Sequence, residues 1–119
     1  SPADIEAWAN NRDGNLGEIA FCKYIGQEWV PKDAADNGVD VFWAAANQTI
    51  QIKTVRDEPQ KKKMWLDKRV DARFDYYALM FLAQDLSYAD IVFLGDKFIT
   101  ELNSNVDDSR PDLKFFWYK

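Results

Sequence analysis

The sequence contains no histidine. That excludes Ser-His-Asp and Cys-His nucleophilic catalysis, HExxH zinc hydrolysis and any nuclease whose base is an imidazole. Acid–base or metal chemistry must then come from carboxylates, amides, Lys, Tyr or main-chain groups. Cysteine occurs once, as Cys22. A lone cysteine excludes an internal disulfide and a cysteine-built zinc site, and it fits a reducing, cytoplasmic compartment. It sits within an apolar helix face, where an inert packing role is expected. No apolar run approaches the length of a membrane span and no secretory leader is visible, so no membrane association is expected. Linkers, repeats and low-complexity segments are also missing, and the chain of 119 residues reads as a single domain, 1–119.

Apolar residues make up 47% of the chain, enough to bury a core and fold. The net charge of −5 argues against a general affinity for polyanions. The charge is uneven, however. Residues 53–73 carry eight Lys or Arg against four Asp or Glu, which leaves the remainder of the chain at −9. A basic stripe on an acidic domain suits one local site for a polyanion.

Ser1-Pro2 is a helix start, with Ser as N-cap and Pro in the first turn. A break is expected over 10–15 (Asn-Asn-Arg-Asp-Gly-Asn), followed by a second helix over 16–25 closed by Gly26. Asn37-Gly38 is a turn signal. It leads into two runs rich in β-branched and aromatic residues, Gly38-Val39-Asp40-Val41-Phe42-Trp43 and Thr49-Ile50-Gln51-Ile52-Lys53-Thr54-Val55. Residues 56–63 form a charged loop, and 64–73 are helical or irregular. Apolar runs at 76–83 and 89–95 read as buried strands, 96–102 as a short helix, 103–111 as a loop and 113–118 as a final aromatic strand. The expected fold class is α/β, a mixed four- to five-stranded sheet flanked by helices.

Three polar side chains stand inside the two apolar runs: Asp40, Gln51 and Lys53. Placing the turn at 45–48 pairs Phe42 with Gln51 and Asp40 with Lys53, and period-two alternation puts Asp40, Gln51 and Lys53 on one face. A carboxylate, an amide oxygen and an ammonium together suit a hard divalent cation and a phosphate. Asp40 can bind Mg²⁺ (or Mn²⁺) directly, Gln51 can offer its side-chain carbonyl, and the main-chain carbonyl of Ile52 can be a third oxygen ligand. Lys53 can polarise a water or offset charge on phosphorus. The competing reading is a cross-strand ion pair between Asp40 and Lys53.

Asp40, the eleven-residue step to Gln51, and Gln51-Ile52-Lys53 resemble the PD-(D/E)xK nuclease signature in its QxK variant. Gly17-Glu18 on a preceding helix resembles the acidic helix residue of Holliday-junction resolvases and Mrr-like enzymes in that superfamily. Val39 stands where the signature has Pro. The resemblance covers residues 16–55 and implies a restriction-endonuclease-like fold and a metal-dependent endodeoxyribonuclease. It implies Asp40 and Gln51 as metal ligands, Lys53 as the catalytic lysine and Glu18 as an accessory ligand or water-orienting group. DNA would be the partner and a symmetric homodimer the assembly. Arg56, Lys61, Lys62, Lys63, Lys68 and Arg69 are candidates for phosphate contacts, though a solvated loop is the plainer use of the Lys61-Lys62-Lys63 run. Trp43, Trp65, Trp117, Tyr76 and Tyr77 can stack on bases, though core packing or a dimer interface is the plainer use. Gln51 in place of an acid removes one negative charge from the site. The alternative is therefore a catalytically inactive module of the same fold that binds nucleic acid or a partner protein.

Overall fold

The computed structural model describes residues 1–31, 41–56, 62–67 and 73–118. The first helix, α1, spans Pro2–Ile25. Ser1 caps it: its hydroxyl accepts from the Asp4 amide, and Asp4 reaches back to the Ser1 amine. Gly26 closes it with φ 72, a left-handed conformation that glycine adopts without a Cβ penalty.

The expected break at 10–15 does not occur. Asp13 lies in the middle of that weak stretch and accepts two hydrogen bonds from Arg56, of 3.0 and 2.9 Å. The adjacent Arg12 lays its guanidinium over the ring of Trp8, one turn back, at 5.1 Å. The tie to Arg56 and the packing of α1 on the sheet thus override a weak local propensity.

Strand β1 (Val41–Trp43), a 3₁₀ turn (Ala44–Ala46) and β2 (Gln48–Arg56) form the hairpin. The observed pairing is Phe42 with Thr49 and Trp43 with Gln48, so the expected Phe42–Gln51 register is corrected by two residues. The turn sits one residue earlier than its composition suggests. Asn47 takes the left-handed position at φ 53, and Gln27 clamps the hairpin by donating to Phe42 O (2.6 Å) and accepting from Ala44 N (3.0 Å). A shift of two preserves which side chains share a face.

Strands β4 (Tyr76–Leu82) and β5 (Ala89–Asp96) complete a four-stranded mixed sheet in the order β1-β2-β4-β5, with β2 and β4 parallel. Asp75 fixes that parallel register, since its carboxylate accepts from both Thr49 N and Thr49 Oγ1. Helix α2 (Lys97–Leu102) follows, capped by Asp96. The segment expected to be helical or irregular begins as a strand instead: β3 (Lys63–Asp67) pairs antiparallel with β7 (Leu113–Trp117). With the two-residue β6 (Asn105–Val106), these make a second, three-stranded sheet in the order β3-β7-β6. The aromatic final strand therefore belongs to this sheet and not to the main one.

The main sheet is covered on both faces. On one side Ile50, Ile52, Ala78 and Met80 pack against Phe21 and Cys22 of α1. On the other, Tyr77 and Leu79 pack against Met64 and Leu66 of β3 and against Phe74. Strand β4 is apolar throughout because both of its faces are buried.

Candidate functional site

Alternation along β2 sends Ile50 and Ile52 toward α1 and leaves Gln51 and Lys53 facing the second sheet. There they line a cavity of about 10 Å³ together with Asp67, Phe74 and Tyr77. That is close to the room one water or small ion requires. The Gln51 side-chain carbonyl oxygen is buried and accepts no hydrogen bond. A buried acceptor left unpaired costs roughly 1–3 kcal/mol, so its retention calls for a ligand or a role.

The donors at this cavity are oxygens, the set a hard divalent cation prefers. Gln51 brings a side-chain carbonyl and Asp67, at the end of β3, brings a carboxylate. Lys53 also lines the cavity. Among the described residues, no three of His, Cys, Asp and Glu gather as a ligand cluster. A metal here would therefore draw on the Gln51 carbonyl as well as on carboxylates.

Tyr77 forms the wall on the β4 side. Its hydroxyl donates to Glu101 Oε2 at 3.3 Å, and Glu101 is in turn held by Lys97 at 2.8 Å. Burial, and then the Glu101 charge, push the phenol well above its ordinary range. Tyr77 is therefore a fixed hydrogen-bond donor and not a base at neutral pH.

The structure brings Gln51 and Lys53 together, as their spacing requires. Asp40 precedes β1 and lies outside the described residues, as do Lys61, Lys68 and Arg69. Ile52 buries its side chain on the α1 side, and its main chain pairs with Ala78. Glu18 also belongs to α1, the layer on the opposite face of β2, where it accepts from Trp29 Nε1 at 3.4 Å. It is not among the residues that line the cavity. Its neighbour Gly17 has a packing role: a Cβ at that position would overlap the Thr54 hydroxyl, so the glycine sets how closely α1 approaches β2.

Arg56 is engaged within the fold. Beyond its two bonds to Asp13, its Nη1 donates to Gln84 O at 2.8 Å, which ties β2 to α1 and to the β4–β5 turn. The Lys62 main-chain oxygen accepts from Tyr118 N. Lys63 projects over aromatic rings, with its Nζ 4.3 Å from the Phe115 centroid and 4.8 Å from that of Trp117.

Three wall residues of the cavity, Asp67, Phe74 and Tyr77, lie outside the expected site. The Met64/Leu66 alternation ending on Asp67 was a usable signal for β3. Nothing in the sequence places that strand over Gln51. Comparison of the chain with protein-family models, with curated proteins and with solved structures finds no match.

Proposed function

We propose that this chain is a metal-dependent endodeoxyribonuclease of the PD-(D/E)xK type, hydrolysing DNA phosphodiester bonds at the Gln51–Lys53 face of β2. The observation that carries the reading is the buried, unpaired Gln51 carbonyl on an ion-sized cavity shared with Lys53. A mixed sheet with a helix packed on its hairpin is the coarse architecture that a restriction-endonuclease-like fold requires.

In this reading Asp40, Gln51 and the Ile52 carbonyl would hold Mg²⁺ or Mn²⁺, while Glu18, on the α1 face of β2, stands apart from them. A bound ion would supply Lewis acidity and a more acidic water. Lys53 offsets the charge that develops on phosphorus and orients the attacking water. Tyr77, kept protonated, holds the β4 side of the cavity through Glu101. A symmetric homodimer acting on DNA completes the proposal.

The test is a cleavage panel of supercoiled, linear, branched and single-stranded DNA with Mg²⁺ or Mn²⁺, run beside Asp40→Ala and Lys53→Ala. Metal-dependent cleavage lost in both variants supports the proposal. Intact DNA throughout, or cleavage that survives Asp40→Ala, overturns it. A second reading is favoured by one observation, the neutral amide at position 51: a silent module of the same fold that binds nucleic acid or a partner protein. DNA binding with no metal response in calorimetry would select it.

A further inference from the structure

A second, larger depression also borders Lys53. It has a volume of about 950 Å³ and lies between β2 and β3, with Lys53, Val55, Lys63, Trp65, Asp107 and Arg110 on its walls. Three cations face one carboxylate there, in a chain whose net charge is −5. Two of these cations, Lys63 and Arg110, are held in place. Lys63 Nζ is pinned over Phe115 and Trp117, and the Arg110 guanidinium lies 4.7 Å from the Trp65 ring centroid. Such pairs hold a cation by the ring face, and the single Asp107 carboxylate offsets only part of the charge of the two. Asp107 is oriented by Ser109, whose hydroxyl and amide both donate to it. Those bonds, followed by Lys63 and Arg110, hold its carboxyl below the usual range.

We infer that this groove binds single-stranded nucleic acid, with a base stacked on the Trp65–Arg110 platform and phosphates on Lys63 and Arg110. The inference rests on the nuclease reading and names its substrate class. Three physical features select this occupant. Clustered cations on an acidic domain suit a polyanion. A guanidinium laid over an aromatic ring offers its outer face as a stacking plane, and only unpaired bases have faces to give it. An open depression of about 950 Å³ has room for a few nucleotides. The groove also shares Lys53 with the small cavity, so a strand lying in it would pass the candidate metal site.

The test measures binding in EDTA, so that it is independent of cleavage. Fluorescence anisotropy is followed for oligothymidylate, oligouridylate and a duplex of equal length, about 12 nucleotides. The expected result is binding of one or both single strands at least tenfold tighter than the duplex. Trp65→Ala should weaken that binding roughly tenfold, as one lost base stack of about 1–3 kcal/mol implies. Trp65→Phe should restore most of it, and circular dichroism verifies the fold of each variant. Lys63→Ala should lower the salt slope by about 0.7. Comparison of the two single strands assigns the source as DNA or RNA. Duplex bound as tightly as single strand, a folded Trp65→Ala with unchanged affinity, or equal competition by poly-glutamate would overturn the inference. A chain that binds single strands but cleaves nothing refutes only the nuclease reading. One that cleaves duplex yet ignores single strands refutes only this one.

Discussion

Arg56→Ala separates a structural role from a nucleic-acid role. Arg56 makes two charge-assisted hydrogen bonds to Asp13, at 3.0 and 2.9 Å, and one to Gln84 O at 2.8 Å. The two side chains of the pair retain 23% and 17% of their exposure, so the site is neither open surface nor core. Exposed pairs contribute up to about 1 kcal/mol and truncation of a buried pair costs about 3–5 kcal/mol. Between those limits we expect Arg56→Ala to cost about 2 kcal/mol, or roughly 8 °C in Tm for a domain of this size. The pH dependence gives a second readout. The Arg56 hydrogen bonds, against a smaller opposing effect of burial, lower the Asp13 pKa in the folded state. A depressed folded pKa stabilises above the unfolded value and is lost as pH falls through the folded one. Wild type should therefore lose this increment below about pH 4, and the curve for Arg56→Ala should be flatter there. Urea unfolding at neutral and acid pH measures both. A stability change under about 0.5 kcal/mol, accompanied by a steep loss of DNA affinity, would refute the structural assignment and return Arg56 to the phosphate contacts.

Three other substitutions follow from the packing. Gly17→Ala should destabilise by roughly 1–3 kcal/mol through overlap with Thr54, and Gly17→Ala/Thr54→Ala should recover part of that loss in a double-mutant cycle. Gln51→Met removes the unpaired buried carbonyl while keeping volume, so in EDTA it should raise stability by about 1 kcal/mol and in Mn²⁺ abolish any cleavage. Unchanged or lower stability in EDTA would mean the carbonyl is satisfied. Ile50→Ala, at a fully buried core position, should cost about 2–5 kcal/mol in chemical denaturation, and a cost below 1 would contradict the α1-side core.

The elements set by local chemistry were legible in the sequence. The Ser1-Pro2 start, the Gly26 stop, the two hairpin strands, β4, β5 and α2 all announce themselves through capping residues or unbroken apolar runs. So did the shared face of Gln51 and Lys53, because parity survives a register error of two. What depended on distant partners was not legible. The continuity of α1 hangs on Asp13 meeting Arg56, 43 residues away. Strand β3 exists through pairing with β7, which joins Lys63 to Trp117 and splits off a second sheet. With that sheet unforeseen, Asp67 and Tyr77 had no reason to join the site, nor Trp65 and Arg110 to share a groove. Glu18 shows the reverse error: its sequence motif suggested proximity, while its helix packs on the far side of β2 from the Gln51–Lys53 cavity.

Calorimetric titration of Mn²⁺ into wild type, Asp40→Ala, Gln51→Ala and Lys53→Ala, with DNA cleavage scored in parallel, tests the metal site most directly. The expected result is saturable binding in wild type, lost in Asp40→Ala and weakened in Gln51→Ala, with Lys53→Ala binding the ion but leaving DNA intact. No saturable heat in folded wild type, or binding indifferent to Asp40 and Gln51, would contradict a metal site at this hairpin.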